Sequence, residues 1–325
     1  MAVKVTDALI DMLNKGVARE FQVAVQYILQ HMKMEKILRK VRQENILLDK
    51  TTYDAIGGIL KKMAIEEMKH AGKIMERIYY LGAEATTRSE KPHIGETLKD
   101  FMTYGFKAEE EALELYRQTI VEAEKIGDYE TAMMFRAIYQ DEEKHLYSFE
   151  EFKNVDISEP EGPGDVKVEH TSVYTPEYFA LLNKAVAAEI SAIVQYTNQH
   201  EKASKLALRK KESPLEVIGD TNKAKVVSEL LKRFFMQEMK HLELIAERVY
   251  LLGGDSVYNP DPLPEVGGTV DDFLKLDKKA EDYAIGLYRK IIGEAERIGD
   301  IVTRRIFESI IEDEDKHFWE LDDYF

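Results

Sequence analysis

Four short stretches of this sequence repeat one pair of side chains: Glu67 with His70, Glu142 with His145, Glu238 with His241, and Glu314 with His317. On a helix, at about 100° per residue, Glu-x-x-His puts a carboxylate and an imidazole on one face. Carboxylates can bridge two cations and neutralise their charge, while a neutral imidazole suits iron and leaves positions open for oxygen. Four further acids stand in comparable settings. Glu20 and Glu189 are embedded among small or apolar neighbours, and Glu109 and Glu281 follow a recurring Lys-Ala. Two sets of four Glu and two His are what two dinuclear carboxylate sites in four-helix bundles need: one Glu from each of two helices and Glu-x-x-His from each of the other two.

The sets correspond because the chain is written twice. LNKGVAREFQVAVQYILQH (13 to 31) and LNKAVAAEISAIVQYTNQH (182 to 200) agree at 11 of 19 positions. EMKHAGKIMERIYYLG, KAEEEALELYRQTIVEAEKIGD and DEEKHLYSFEEF recur in the same order at offsets of 171 to 172. The repeat also chooses between neighbouring acids, since Glu66 becomes Gln237, Glu143 becomes Asp315, and Glu110 and Glu111 become Asp282 and Tyr283. The positions that stay Glu are the candidate ligands. The competing account, acids on solvated helix faces, would have to produce the same pair four times in register.

Helices must position these groups. Only eight prolines occur, and the Pro-free segments between them carry apolar residues at three-and-four spacing. The pattern predicts helices near 6–40, 52–81, 96–126 and 129–153, then 176–210, 222–252, 269–298 and 300–324. Long connections at 83–95 and 254–268 match the crossover between the second and third helices of a bundle. The expected architecture is all-α, two tandem four-helix bundles over 1–155 and 175–325, joined by a linker at 156–174 that contains the exposed-looking SEPEGPGD.

Composition narrows the partners. With 61 acidic and 45 basic residues, a net charge of -16 disfavours nucleic acid and anionic membrane surfaces and attracts cations. The absence of Cys excludes disulfides, thiol catalysis, iron–sulfur clusters and thiolate zinc sites, so Glu, Asp, His or Met must hold any metal. No apolar run reaches a membrane span, and the charged start MAVKVTDALIDMLNK is no signal peptide, so the expected location is the cytoplasm.

Three further repeated positions bear on chemistry. Tyr27 and Tyr196 lie seven residues after Glu20 and Glu189, two turns along the same face, and are candidates to give the metals a hydrogen bond or an electron; a core Tyr with a satisfied hydroxyl is the alternative. His31 and His200, a turn further on, read as packing or capping residues. Met68 and Met239 point away from the metals, either as interface packing or as a pair that meets across a twofold axis as axial haem ligands.

These motifs resemble those of the bacterioferritins, within the ferritin-like superfamily, over nearly all of both halves. The resemblance implies terminal iron ligands Glu20 and Glu109, bridging Glu67 and Glu142, and ligands His70 and His145. The second half follows with Glu189, Glu238, His241, Glu281, Glu314 and His317. It also implies haem b at Met68 and Met239. The implied activity is that of a di-iron ferroxidase, an oxidoreductase that oxidises ferrous iron with oxygen or hydrogen peroxide for storage or detoxification. The alternatives are a haem-binding electron-transfer protein with structural metal sites, and a peroxidase or dimanganese catalase-like enzyme, because manganese shares this ligand set. The chain departs from that family in its tandem fusion, which would make it a covalent pseudo-dimer open to further self-association. It also carries about fifteen extra residues before each second-helix motif, and Lys62 and Arg233 stand where some bacterioferritins have a His. The family's short fifth helix has no evident counterpart, which argues against a 24-subunit cage. Rubrerythrin is a weaker match, since its Cys-bound iron domain requires Cys.

Overall fold

The structure is a computed structural model that describes residues 5–43, 50–153, 173–208 and 214–324. Eight helices follow one another: α1 (Asp7–Gln43), α2 (Lys50–Tyr80), α3 (Leu98–Lys125), α4 (Tyr129–Lys153), α5 (Pro176–Leu208), α6 (Pro214–Leu251), α7 (Val270–Ile298) and α8 (Ile301–Asp322). No strand occurs among the described residues. The chain separates into two compact units, Met1–Val166 and Lys167–Phe325. In each, the first two helices pair, the last two pair, and the first contacts the third while the second contacts the fourth, which makes a four-helix bundle. The proline-rich linker, apart from residues 173 and 174, lies outside the described residues, as does part of the extra segment after α1.

Helix ends follow the capping chemistry. Thr97 and Asp100 form a capping box at the start of α3, and Thr269 and Asp272 form the same box at α7. Each satisfies backbone N–H groups that a first turn otherwise leaves without partners. The one displaced boundary is that of α6, which begins at Pro214 rather than near 222. Proline is tolerated in a first turn, where its missing N–H would have had no partner.

The crossover between α2 and α3 sets the directions of the helices. It begins where Asn14 donates to the Glu84 carbonyl and accepts from the Thr86 amide. It continues through Glu90 N–H to the Ala18 carbonyl and His93 N–H to Gln26 Oε1, and ends where Lys33 reaches the Gly95 carbonyl. It therefore runs along α1 from residue 14 to residue 33, about 28 Å of helix at 1.5 Å per residue. α2 thus ends near the start of α1 and α3 begins near its end, so both run antiparallel to it. The second unit repeats these contacts with Asn183 to Asp255, Asp261 to Ala187, Glu265 to Gln195 and Lys202 to Gly267. Covered by bundle and crossover, α1 is buried on every side from residue 19 to residue 30, which accounts for its buried Gln26 and Gln30. No helix among the described residues is long and apolar enough to cross a membrane.

Candidate metal centres

Each unit gathers its six predicted residues in the middle of its bundle. In the first, ligand atoms of Glu20, Glu67, His70 and Glu142 lie within 4.8 Å of one another, as do those of Glu67, Glu109, Glu142 and His145. The second unit does the same with Glu189, Glu238, His241 and Glu314, and with Glu238, Glu281, Glu314 and His317. None of the twelve is more than 4% exposed, which rules out solvated helix faces. The acids set aside on the strength of the repeat, Glu66, Glu110, Glu111 and Glu143, are all exposed.

In each unit two Glu belong to both groups, so the arrangement could hold two ions side by side. His70 Nδ1 stands 3.1 Å from Glu67 Oε2 and 3.0 Å from Glu142 Oε1. His145 Nδ1 stands 2.9 Å from Glu67 Oε1 and 3.0 Å from Glu142 Oε2. Each of these carboxylates therefore turns one oxygen to each imidazole. Glu20 adds an oxygen 3.8 Å from His70 Nδ1, and Glu109 one 3.9 Å from His145 Nδ1. In the second unit Glu238 and Glu314 do the same between His241, at 2.8 and 3.1 Å, and His317, at 3.2 and 3.1 Å.

An imidazole nitrogen carries one proton and can serve one acceptor. Each His gives its Nδ1 bond to the Glu three residues before it, and Glu67 Oε1, Glu142 Oε1 and Glu238 Oε1 are left buried without a hydrogen bond, as is Glu109 Oε2. Unpaired carboxylate oxygens in a dry interior are costly. A cation among them would satisfy these oxygens and the imidazoles together.

The outer nitrogens fix the rings. His145 Nε2 lies 2.9 Å from Glu66 Oε2, and His317 Nε2 lies 3.0 Å from Gln237 Oε1. His70 and His241 face Asp141 and Asp313 at 3.5 and 3.6 Å. With Nε2 donating outward, a neutral ring presents the Nδ1 lone pair to the cluster.

Proton affinities follow from burial and crowding. Burial, then the neighbouring carboxylates, push Glu20, Glu109, Glu189 and Glu281 well above the usual carboxylate range. Burial would also raise Glu238, but bonds from His241 and His317 outweigh it and hold it near 2; Glu67 is lowered in the same way by His145 and His70. Burial opposes a charge on His70 and His241, yet their paired carboxylates lift them to about 11 and about 12, and His145 and His317 are lifted as well.

Tyr27 does not reach Glu20. Seven residues are about 10 Å of helix, so its hydroxyl crosses to α3 and donates to Glu109, as Tyr196 donates to Glu281. The reciprocal bonds, Tyr116 to Glu20 and Tyr288 to Glu189, come from tyrosines that sequence reasoning missed. The signal was available, since Tyr116 and Tyr288 lie seven residues after Glu109 and Glu281 in repeated Leu-Tyr-Arg. Antiparallel helices turn one spacing into two crossed pairs. His31 and His200 join neither cluster: Gly57 leaves room for the His31 ring, and His200 Nδ1 sits 2.7 Å from the Ser228 carbonyl. Met68, expected to face outward, is buried, and Met239 is half-buried.

The model of the ferritin-like domain family matches residues 10–155 and again 220–325. A bacterioferritin of Desulfovibrio desulfuricans is 33% identical over 137 residues, 42% of this chain and 68% of that protein. A bacterioferritin of Rhodobacter capsulatus is 29% identical over 42% of this chain and 74% of its own length. One from Streptomyces coelicolor is 30% identical over 44% and 75%. Each alignment spans less than half of the chain.

Proposed function

Because the chain belongs to the ferritin-like family, we propose that each unit is a ferroxidase centre that takes up two ferrous ions as substrate and gives their electrons to oxygen or hydrogen peroxide. The observation that carries this reading is the double reach of Glu67 and Glu142, and of Glu238 and Glu314, each offering one oxygen to either side of a buried pair of sites. Glu20 and His70 would complete one site and Glu109 and His145 the other, with Glu189, His241, Glu281 and His317 as their counterparts. Four carboxylates match the charge of two divalent ions, so that neutral imidazoles complete an uncharged interior.

The chain's own groups do the positioning. Tyr27 and Tyr116 hold Glu109 and Glu20 by single hydrogen bonds, which fixes each carboxylate beside its imidazole. Burial, then the carboxylate they serve, push both phenols well above their ordinary range, so they stay protonated as donors. Glu66 and Asp141 orient the imidazoles from outside. Bound as a pair, ferrous ions supply two electrons at one place, which suits the two-electron reduction of oxygen to peroxide or of peroxide to water.

Glu67→Ala with Glu238→Ala removes a shared carboxylate from each unit. Anaerobic titration with ferrous iron should reach about four ions per chain in the wild type and fall to near none in the double variant, with rapid aerobic oxidation lost. A double variant that oxidises iron at the wild-type rate would overturn the assignment. Anomalous scattering at the iron and manganese edges, from crystals of the loaded protein, identifies the element.

A further inference from the structure

One face of the bundle, between the first and third helices, differs sharply between the units. In the second unit a cavity beside α5 and α7 is bordered by Ala188, Ala280 and Tyr283, and its inner wall includes the carboxylates of Glu189, Glu238, Glu281 and Glu314. About 40 Å³ is open to the centre of a water-sized molecule, where one water needs about 10–15 Å³. In the first unit the same three positions are Arg19, Ala108 and Glu111. Arg19 is 7% exposed; it donates to the Ala108 carbonyl and to Glu111 Oε2 at 2.9 Å. The cavity on that face is larger, about 150 Å³, yet it is bordered by Arg19, Gln22, His93 and Glu111 and touches none of the six predicted ligands.

We propose that small neutral oxidants of oxygen or peroxide size reach the second centre through this cavity, and that the Arg19–Glu111 pair closes the equivalent route to the first. The two centres of one chain then meet their oxidant at different rates. The walls explain the class of ligand. Short of the four Glu the walls carry no charge: Ala188, Ala192, Ala280 and Ala284 offer only methyl groups, and Ser191, Gln195 and Tyr283 only neutral polar groups, a poor exchange for the water shell of a metal ion, whereas a small uncharged molecule has little hydration to lose. On the first unit's side, the route is occupied by a guanidinium that donates to the Ala108 carbonyl, to Glu111 and to Gln22 Oε1. Arg19 and Glu111 are thus gating residues rather than ligands.

This inference rests on the metal-centre reading above, and the test separates the two. Protein loaded anaerobically with ferrous iron is mixed with nitric oxide, a neutral diatomic probe, and the iron–nitrosyl absorbance is followed by stopped flow. The wild type should show two phases of about equal amplitude, at least about tenfold apart in rate. Arg19→Ala should move the slower phase toward the faster. Ala188→Arg with Tyr283→Glu, which carries the pair to the second unit, should move the faster phase toward the slower. The variants act on different units in opposite directions, so if one fails to fold the other still decides. Iron stoichiometry on the same samples assigns any failure. Far fewer than about four ions per wild-type chain overturns the metal-centre reading and the route with it. Full loading with a single wild-type phase, or with two phases that neither folded variant shifts, overturns the route alone.

Discussion

The two units agree at every cluster residue and diverge one layer out. Six ligand positions and two tyrosine positions correspond, and Glu67 and Glu142 turn the same oxygens to the same imidazoles as Glu238 and Glu314 do. Around them, Glu66 becomes Gln237, Arg19 becomes Ala188, and Gly105 beside Phe149 becomes Asp277 beside Leu321. The last exchange is steric: a Cβ on Gly105 would lie 2.4 Å from the Phe149 ring, so a side chain at this position requires a smaller partner. A cluster that is to hold two cations tolerates few residue types, because charge and reach allow few alternatives. The surrounding layer needs only to fill space and satisfy donors, and two copies can solve that differently.

The largest expected effect concerns what the units share. Without metal, the imidazoles of His70 and His241 hold protons up to about 11 and about 12, and buried Glu20, Glu109, Glu189 and Glu281 hold theirs well above the usual range. Cations must displace those protons. Loading a pair should release at least about two protons, from the imidazoles, and up to about four with the terminal Glu included. Affinity for the pair then falls by at least about two decades for each unit of pH lowered across the neutral range. Proton release in weakly buffered solution, measured during anaerobic loading of Glu67→Ala and Glu238→Ala separately, should match between the units. Release of less than one proton per pair would contradict the charged imidazoles.

These shared features were the legible ones. Glu-x-x-His in register points to residues that cluster, and proline placement with helical periodicity gives seven of the eight described helix starts to within two residues, because both depend on spacing along one chain. What depends on two helices meeting was not legible. Tyr27 was placed toward the metals by its spacing from Glu20, but that its hydroxyl partner is Glu109 follows only from the antiparallel packing of α1 on α3. Glu66 was set aside because it is not repeated, and it became the outer partner of His145. Arg19 carried no signal at all until Ala108 and Glu111 were seen across from it.

A smaller effect should sharpen the difference. Asp277 is fully buried, and burial lifts it to about 8, against hydrogen bonds from Gln195 and Gln199. Its Oδ1 takes the Gln195 amide at 2.8 Å, whereas the equivalent Gln26 amide nitrogen in the first unit finds no acceptor. A carboxyl whose folded pKa is raised stabilises the fold fully below its unfolded value near 3.8, and that contribution is lost as pH rises toward 8. Asp277→Asn, neutral throughout, should match the wild type near pH 4 and exceed it by a few kcal/mol near pH 8. Denaturant unfolding of the metal-free proteins at the two pH values checks this, and a difference that does not grow with pH would place the carboxylate in water.

The smallest effect lies in the outer partners of the histidines. Glu66 offers His145 an anionic acceptor at 2.9 Å, while Gln237 offers His317 a neutral one at 3.0 Å. The geometry is the same and the charge is not, so this pair isolates what an outer carboxylate contributes. An anion behind the ring makes Nδ1 a stronger donor to a cation; Glu66 is half-exposed, however, and water screens part of its charge. Glu66→Gln should weaken metal binding in the first unit by about tenfold, at the low end of the usual outer-partner effect, and Gln237→Glu should strengthen the second by a similar factor. Competition with a calibrated chelator at fixed pH, in chains whose other unit is silenced by the Glu67 or Glu238 substitution, measures each separately. If both exchanges leave affinity within about twofold, the outer partner only orients the ring, and the electrostatic difference between the centres must come from residues nearer the ions.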